Sequence, residues 1–209
     1  MKTAAWIFLA VASAYLAAAL VSCAQVPAAI PATKEIQKAA LPSYPLSWEK
    51  DHSERKAWSL AVRDEIALAL PSFDKAKDVK DYCPRYNDLL VEQRINVWSE
   101  MVSRIAKFES GWKPTSTYQE PKPPNGPGTL SVGLLQLSTG DRGCPKTVDG
   151  LKDPIKNLQC GVGLMKFFID KDGLIAKDKI GIARYWSVMR PGHHIDEIKA
   201  STRSLAFCL

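Results

Sequence analysis

The chain has 209 residues, 46% of them hydrophobic and 24% charged, a balance that excludes a disordered or low-complexity polymer and gives one globular domain plus extras. A domain of that size buries a core without a metal or dense disulfides. The net charge of +6 favours anionic surroundings, but no basic run interleaved with aromatics is present, which argues against nucleic acid as a partner.

Met1-Lys2 is a short positive region and residues 3–21 are almost wholly apolar and Ala-rich. This is the pattern of a signal peptide; the alternative is a permanent membrane-spanning helix. Leu20-Val21-Ser22-Cys23 resembles the bacterial lipobox, in which the Cys becomes a lipidated N-terminus. Residues 1–22 are then the signal and Cys23 the anchor; cleavage after Ala24 and secretion is the rival reading. Lipoproteins held at the inner membrane tend to carry Asp after that Cys. Ala24 stands there instead, so the resemblance implies the periplasmic face of the outer membrane. Residues 23–47, with Pro27, Pro31, Pro42 and Pro45, are expected to form a semi-extended tether ahead of a folded body at 48–209.

Export makes disulfides available. Without Cys23, four cysteines remain, which allow three pairings. Cys144–Cys160, closing a short loop, and Cys83–Cys208, fastening the C-terminal tail, are the expected bridges; free buried thiols are the alternative. No CxxC spacing is present, so neither zinc nor another metal or cofactor is expected.

Within the body the apolar row Trp58, Val62, Ile66, Leu70 predicts a helix capped by Ser47 and ended by Pro71. Residues 71–87 are turn-rich. A second helix is expected from about Asp88 to Ser110, and a third from Asp153-Pro154, an N-cap followed by Pro, to about Asp170. A fourth is expected over Lys179–Met189 and a short last one over Ile195–Ser204. Between the second and third lies an irregular Pro-rich stretch, 121–128, with a short pair of strands near Gly128–Val132. The class is mainly α, of the α+β kind, a helical bundle with at most a small β-hairpin.

The second helix carries the chemistry. Its stripe of Val91, Ile95, Trp98, Val102 and Ile105 is spaced for a core-facing row, and one further step of four lands on Glu109. Apolar surroundings disfavour the ionised carboxyl, and so does the partial negative charge of a helix C-terminus. Glu109 is therefore a candidate general acid, the alternative being a glutamate turned to solvent at a frayed end.

Phe108-Glu109-Ser110-Gly111-Trp112 with Pro114, followed by Ser131-Val132-Gly133-Leu134-Leu135-Gln136, resembles the two signature motifs of the lytic transglycosylase domain, the soluble-transglycosylase type within the lysozyme superfamily. Asn157-Leu158 with Gly161, and Ala183-Arg184-Tyr185-Trp186, extend the resemblance over about 88–190; Trp186 stands where the family has Asn. The resemblance implies a lysozyme-like fold around a glycan cleft. Its substrate would be peptidoglycan strands, cut between N-acetylmuramic acid and N-acetylglucosamine to leave a 1,6-anhydro end, with Glu109 as acid and then base. It implies a cleft wall at Ser131, Gly133 and Gln136, with Gly133 admitting a sugar ring and Gln136 offering its amide. Tyr185 would lie near the acid. Trp112 and Glu120 are further candidates for substrate contact, and the partners are the glycan and, through Cys23, a membrane, with the protein a monomer. A hydrolytic lysozyme on the same fold would use Glu120, then Asp141, as a second carboxylate. A module that grips peptidoglycan without cutting it is the non-enzymatic alternative. His193-His194 lack a nearby third metal ligand, and Lys171–Lys179 is expected to be a solvated mixed-charge face.

Overall fold

The computed structural model describes residues 44–122 and 128–209. The signal, Cys23 and nearly all of the expected tether lie outside the described residues, as does most of the Pro-rich loop. The described chain forms five α-helices and two small antiparallel hairpins, in the order α1 (Lys56–Phe73), α2 (Val91–Ser110), β1 (Thr117–Gln119), β2 (Leu130–Val132), α3 (Val148–Lys152), α4 (Pro154–Asp172), β3 (Ala176–Lys177), β4 (Ile180–Gly181) and α5 (Ile195–Arg203). Helix α1 packs against α2 and α4, and α5 covers another face of α2.

The apolar rows drive this packing. On α1, Val62, Ile66 and Leu70 are buried; on α2, Trp98, Val102 and Ile105 are fully so. Phe73 stacks on Trp98 with ring centroids 4.4 Å apart, a contact that explains why α1 runs past Pro71 instead of ending there. The proline forfeits one helical N–H, but Asp74 N–H still reaches Leu70 O at 2.9 Å and Phe73 gains full burial. The other end of α1 also departs from expectation. Residues 47–55 form two short 3-10 turns, Ser47–Glu49 and Ser53–Arg55, separated by Asp51 in the left-handed region at φ 62°. That bend lets Trp48 bury completely beneath α2. Leu46 is buried too, and Ser47 is bonded to Glu100, so the last residues assigned to the tether belong to the folded body.

Helix α2 begins at Val91, three residues later than the sequence suggests, because Tyr86–Asp88 turns as 3-10 to bury Tyr86. Helix α4 starts as expected: the Asp153 carboxylate accepts from the N–H groups of Ile155 and Lys156, with Pro154 first in the helix. The helix expected over Lys179–Met189 does not form. Gly181 at φ 68° packs so closely on Ile175 that a Cβ would lie 2.1 Å from its carbonyl oxygen, and the chain makes the β3–β4 hairpin and two 3-10 turns, Ile182–Arg184 and Ser187–Met189. Nor is Lys171–Lys179 simply a solvated run. Ile175 is fully buried, and Asp172 accepts from Gly181 N–H at 2.7 Å and pairs with Arg184 at 2.6 Å. Both expected disulfides, Cys83–Cys208 and Cys144–Cys160, are formed.

Candidate active site

Glu109 occupies the last turn of α2, where Gly111 at φ 62° closes the helix and turns the chain away. The next residue fixes that turn in space. Ser110 Oγ lies 2.9 Å from Ala106 O on its own helix and 2.9 Å from Leu134 O on the loop after β2. The second motif is thereby fastened to the first. From its other side the loop is held by Asn157 on α4, fully buried, whose amide nitrogen donates to Val132 O at 3.0 Å and Leu151 O at 2.9 Å while its oxygen accepts from Leu135 N–H at 2.9 Å. Gly133 sits at φ 82° inside this clamp, where a Cβ would fall 2.3 Å from Asn157 Nδ2 and 2.4 Å from Leu151 O. The glycine is demanded by the protein's own packing and does not line the cleft, which corrects the expectation that it admits a sugar ring. Gln136 does line it. Its amide nitrogen donates inward to Gly133 O at 2.8 Å and Ser116 O at 3.3 Å, leaving the side-chain oxygen for a ligand.

The cleft has a volume of about 890 Å³, and Glu109, Glu120, Ser131, Gln136, Asp141 and Tyr185 all line it. Beyond Tyr185 and Asp141, which belong to both, a second and more apolar groove of about 800 Å³ continues toward Phe167 and Phe168. Glu109 makes no side-chain hydrogen bond or ion pair with any described residue. Burial, then the negative charge of Glu120, push its carboxyl up to about 7 from the usual 4.5, with Arg190 pulling the other way. Glu120 is brought into the same cleft from the end of β1 and accepts from Ser131 Oγ at 3.0 Å, so the Ser131 hydroxyl serves a carboxylate of the protein. Tyr185 O–H donates to Asp141 Oδ2 at 2.5 Å. Burial and that carboxylate hold the phenol well above its ordinary range. Trp186, the departure from the family pattern, is buried and donates its indole N–H to Leu135 O at 3.0 Å, bracing the same loop.

Trp112 is not brought to the site. Its indole N–H donates to Ser103 O at 2.8 Å, on the side of α2 where Arg55 and Lys107 stand over its ring. His194 lies flat against Phe108, centroids 4.0 Å apart, and bonds to Glu197. Among the described residues no group of acidic, His or Cys side chains could hold a metal, and no helix is long and apolar enough to cross a membrane. Sequence reasoning missed Arg190, since nothing in the pattern around it singles it out, and missed that Asp141 pairs with Tyr185, because the two are 44 residues apart in the chain.

A mainly helical body whose half-buried carboxyl, without a partner among the described residues, ends one helix at an open polar cleft is lysozyme-like in form. The chain belongs to the family of the transglycosylase SLT domain, whose model matches residues 90–176. Among solved structures it is similar to Bd0314 DslA, wild-type form 2, with TM-score 0.69 and 30% identity over 79% of this chain and 98% of that one. Two glutamate-to-glutamine mutants of DslA match equally, at TM-score 0.69 and 30% identity over 78% of this chain and 97% of theirs. No curated protein matches the chain.

Proposed function

We propose that the protein cuts peptidoglycan strands between N-acetylmuramic acid and N-acetylglucosamine, with Glu109 as general acid. The observation that carries this reading is the carboxyl at about 7, without a partner among the described residues, in a cleft of sugar size. An acid with that value is still substantially protonated at neutral pH, yet gives up its proton readily. Glu109 protonates the bridging oxygen as the bond from that oxygen to C1 breaks, and the acetamido oxygen of the substrate supports the electron-poor C1. The glutamate, now ionised, takes the proton of the C6 hydroxyl while its oxygen bonds C1. This leaves a 1,6-anhydro end and the acid restored.

One observation favours a second reading, hydrolysis. Glu120 shares the cleft with Glu109 and acts on its charge, so a second carboxylate is at hand to activate water. The two mutated glutamates in the DslA structures lie eleven positions apart, as do Glu109 and Glu120 here. Mass spectrometry of fragments released from purified peptidoglycan separates the readings: anhydro ends mean transglycosylation, reducing ends mean hydrolysis. Binding without release would leave only a gripping module. We further propose, on Leu20-Val21-Ser22-Cys23, that Cys23 is lipidated; metabolic labelling with a fatty acid should mark the protein and fail to mark Cys23→Ser.

A further inference from the structure

Tyr185 and Asp141 are the two residues common to the cleft and the groove beyond it, so a strand passing from one to the other crosses this pair. The phenol has one proton, and it is given to Asp141 Oδ2 at 2.5 Å. That same carboxylate oxygen accepts from Ser138 N–H at 2.7 Å, and Asp141 N–H bonds back to Ser138 O at 3.0 Å, so the carboxylate is fixed by its own loop. The competing acceptor for the phenol proton is Gln136 O at 3.4 Å, farther away and neutral. A charged acceptor at short range wins that competition. With its proton committed, the Tyr185 oxygen can only accept from a ligand.

We propose that Asp141 is a positioning residue: by holding the Tyr185 proton it makes the ridge between the two grooves a fixed acceptor, which selects substrates presenting an amide N–H or a hydroxyl at that point. The proposal rests on the glycan-cutting reading above. Asp141 does not act as a second acid or base, and it is not among the charges that set Glu109, which are Glu120 and Arg190.

The test is a mutant cycle on release of soluble fragments from peptidoglycan, with folding of each variant checked by thermal melting. Asp141→Ala and Tyr185→Phe should each lower kcat/KM by about tenfold, and the double variant should be no worse than Tyr185→Phe alone. Asp141→Asn should recover most of the loss, because its amide oxygen accepts the same two donors. The alkaline limb of its pH profile should stay in place. Losses that multiply in the double variant, or no recovery with Asn, overturn the proposal while leaving the reading of Glu109 intact; a displaced limb overturns it in favour of a direct carboxylate role. A wild-type protein that releases nothing brings down the glycan-cutting reading, and this inference with it.

Discussion

Two of the three glutamates of helix α2, Glu100 and Glu109, lie nine residues apart, and their surroundings are opposite. Glu100 is buried, and its carboxylate accepts three hydrogen bonds: from Ser47 N–H at 2.9 Å, from Ser47 Oγ at 2.5 Å and from Ser201 Oγ at 2.7 Å. It thereby ties the start of the folded body to α5. Glu109 has no such donors among the described residues, faces the cleft and is pushed up to about 7. The three donors tie Glu100 into the fold, so it does structural work. Glu109 keeps its proton to about neutral pH because burial, then the Glu120 charge, disfavour its ionised form. On one helix, then, one acid is tied into the fold by its donors, and the other faces the cleft with burial and the Glu120 charge holding its proton.

Glu109→Gln breaks the comparison most severely. It keeps the size and removes the transferable proton, so fragment release should fall by about 10²–10⁴-fold, measured by mass spectrometry of released products. Stability should move the other way. Folded Glu109 keeps its proton up to about 7, against 4.5 without burial. Between those values the folded state binds more protons than the unfolded one, so wild-type stability declines as pH rises across that window. The neutral amide is spared this loss. Allowing for solvent at the cleft, Glu109→Gln should be more stable than wild type at pH 8 by about 1–3 kcal/mol, which raises the melting temperature by roughly 2–4 °C for each kcal/mol. An unchanged rate, or a melting temperature that falls at pH 8, removes Glu109 from its assigned state.

Glu100→Gln tests the opposite end. The amide nitrogen cannot accept, so at least one of the three donors is orphaned in a buried setting, at a cost of about 1–3 kcal/mol. Thermal melting should show that loss, while kcat well below the melting point stays within a factor of two or so. A variant that melts normally and cuts slowly would mean that the two ends of α2 are not independent.

How much of this was legible in the sequence follows from where each constraint is local. The step of four from Ile105 to Glu109 and the Ser110-Gly111 helix end are short-range facts; they singled Glu109 out as a candidate at a helix end, and the two motifs around it made that reading stronger. Asp153-Pro154 announced α4 for the same reason. Glu120 was readable as a candidate for the cleft but not placed there by any local pattern; its place depends on the β1–β2 register, in which Gln119 pairs with Leu130. The role of Gly133 was misread because the group that crowds it, Asn157, comes from a helix more than twenty residues on. The expected helix at Lys179–Met189 failed on Gly181, whose positive φ answers to the backbone of Ile175 and to the Asp172 carboxylate rather than to its neighbours' periodicity. Trp112 was chosen for nearness to Glu109 in sequence, but a residue three beyond it, past a left-handed glycine, turns to the other side of α2.

Glu120→Gln gives the smallest change and the finest resolution. The Glu120 charge is the second-ranked reason, after burial, that Glu109 holds its proton. Removing it should let Glu109 ionise earlier, so the alkaline limb of kcat/KM, governed by loss of the acid's proton, moves to lower pH by a fraction of a unit up to about one unit. The Ser131 hydroxyl retains an amide oxygen to donate to, so the cleft wall should hold its shape. If the protein is a transglycosylase, the rate at the optimum should drop by less than about tenfold, because the attacking C6 hydroxyl belongs to the substrate and needs no second carboxylate. A loss of about 10²–10⁴-fold, of the size a general base supplies, accompanied by reducing ends in the wild-type products, would give Glu120 the task of activating water and make the pair a hydrolase. A limb that stays fixed while the rate drops would mean that Glu120 serves the reaction without setting Glu109, and that burial alone accounts for the acid.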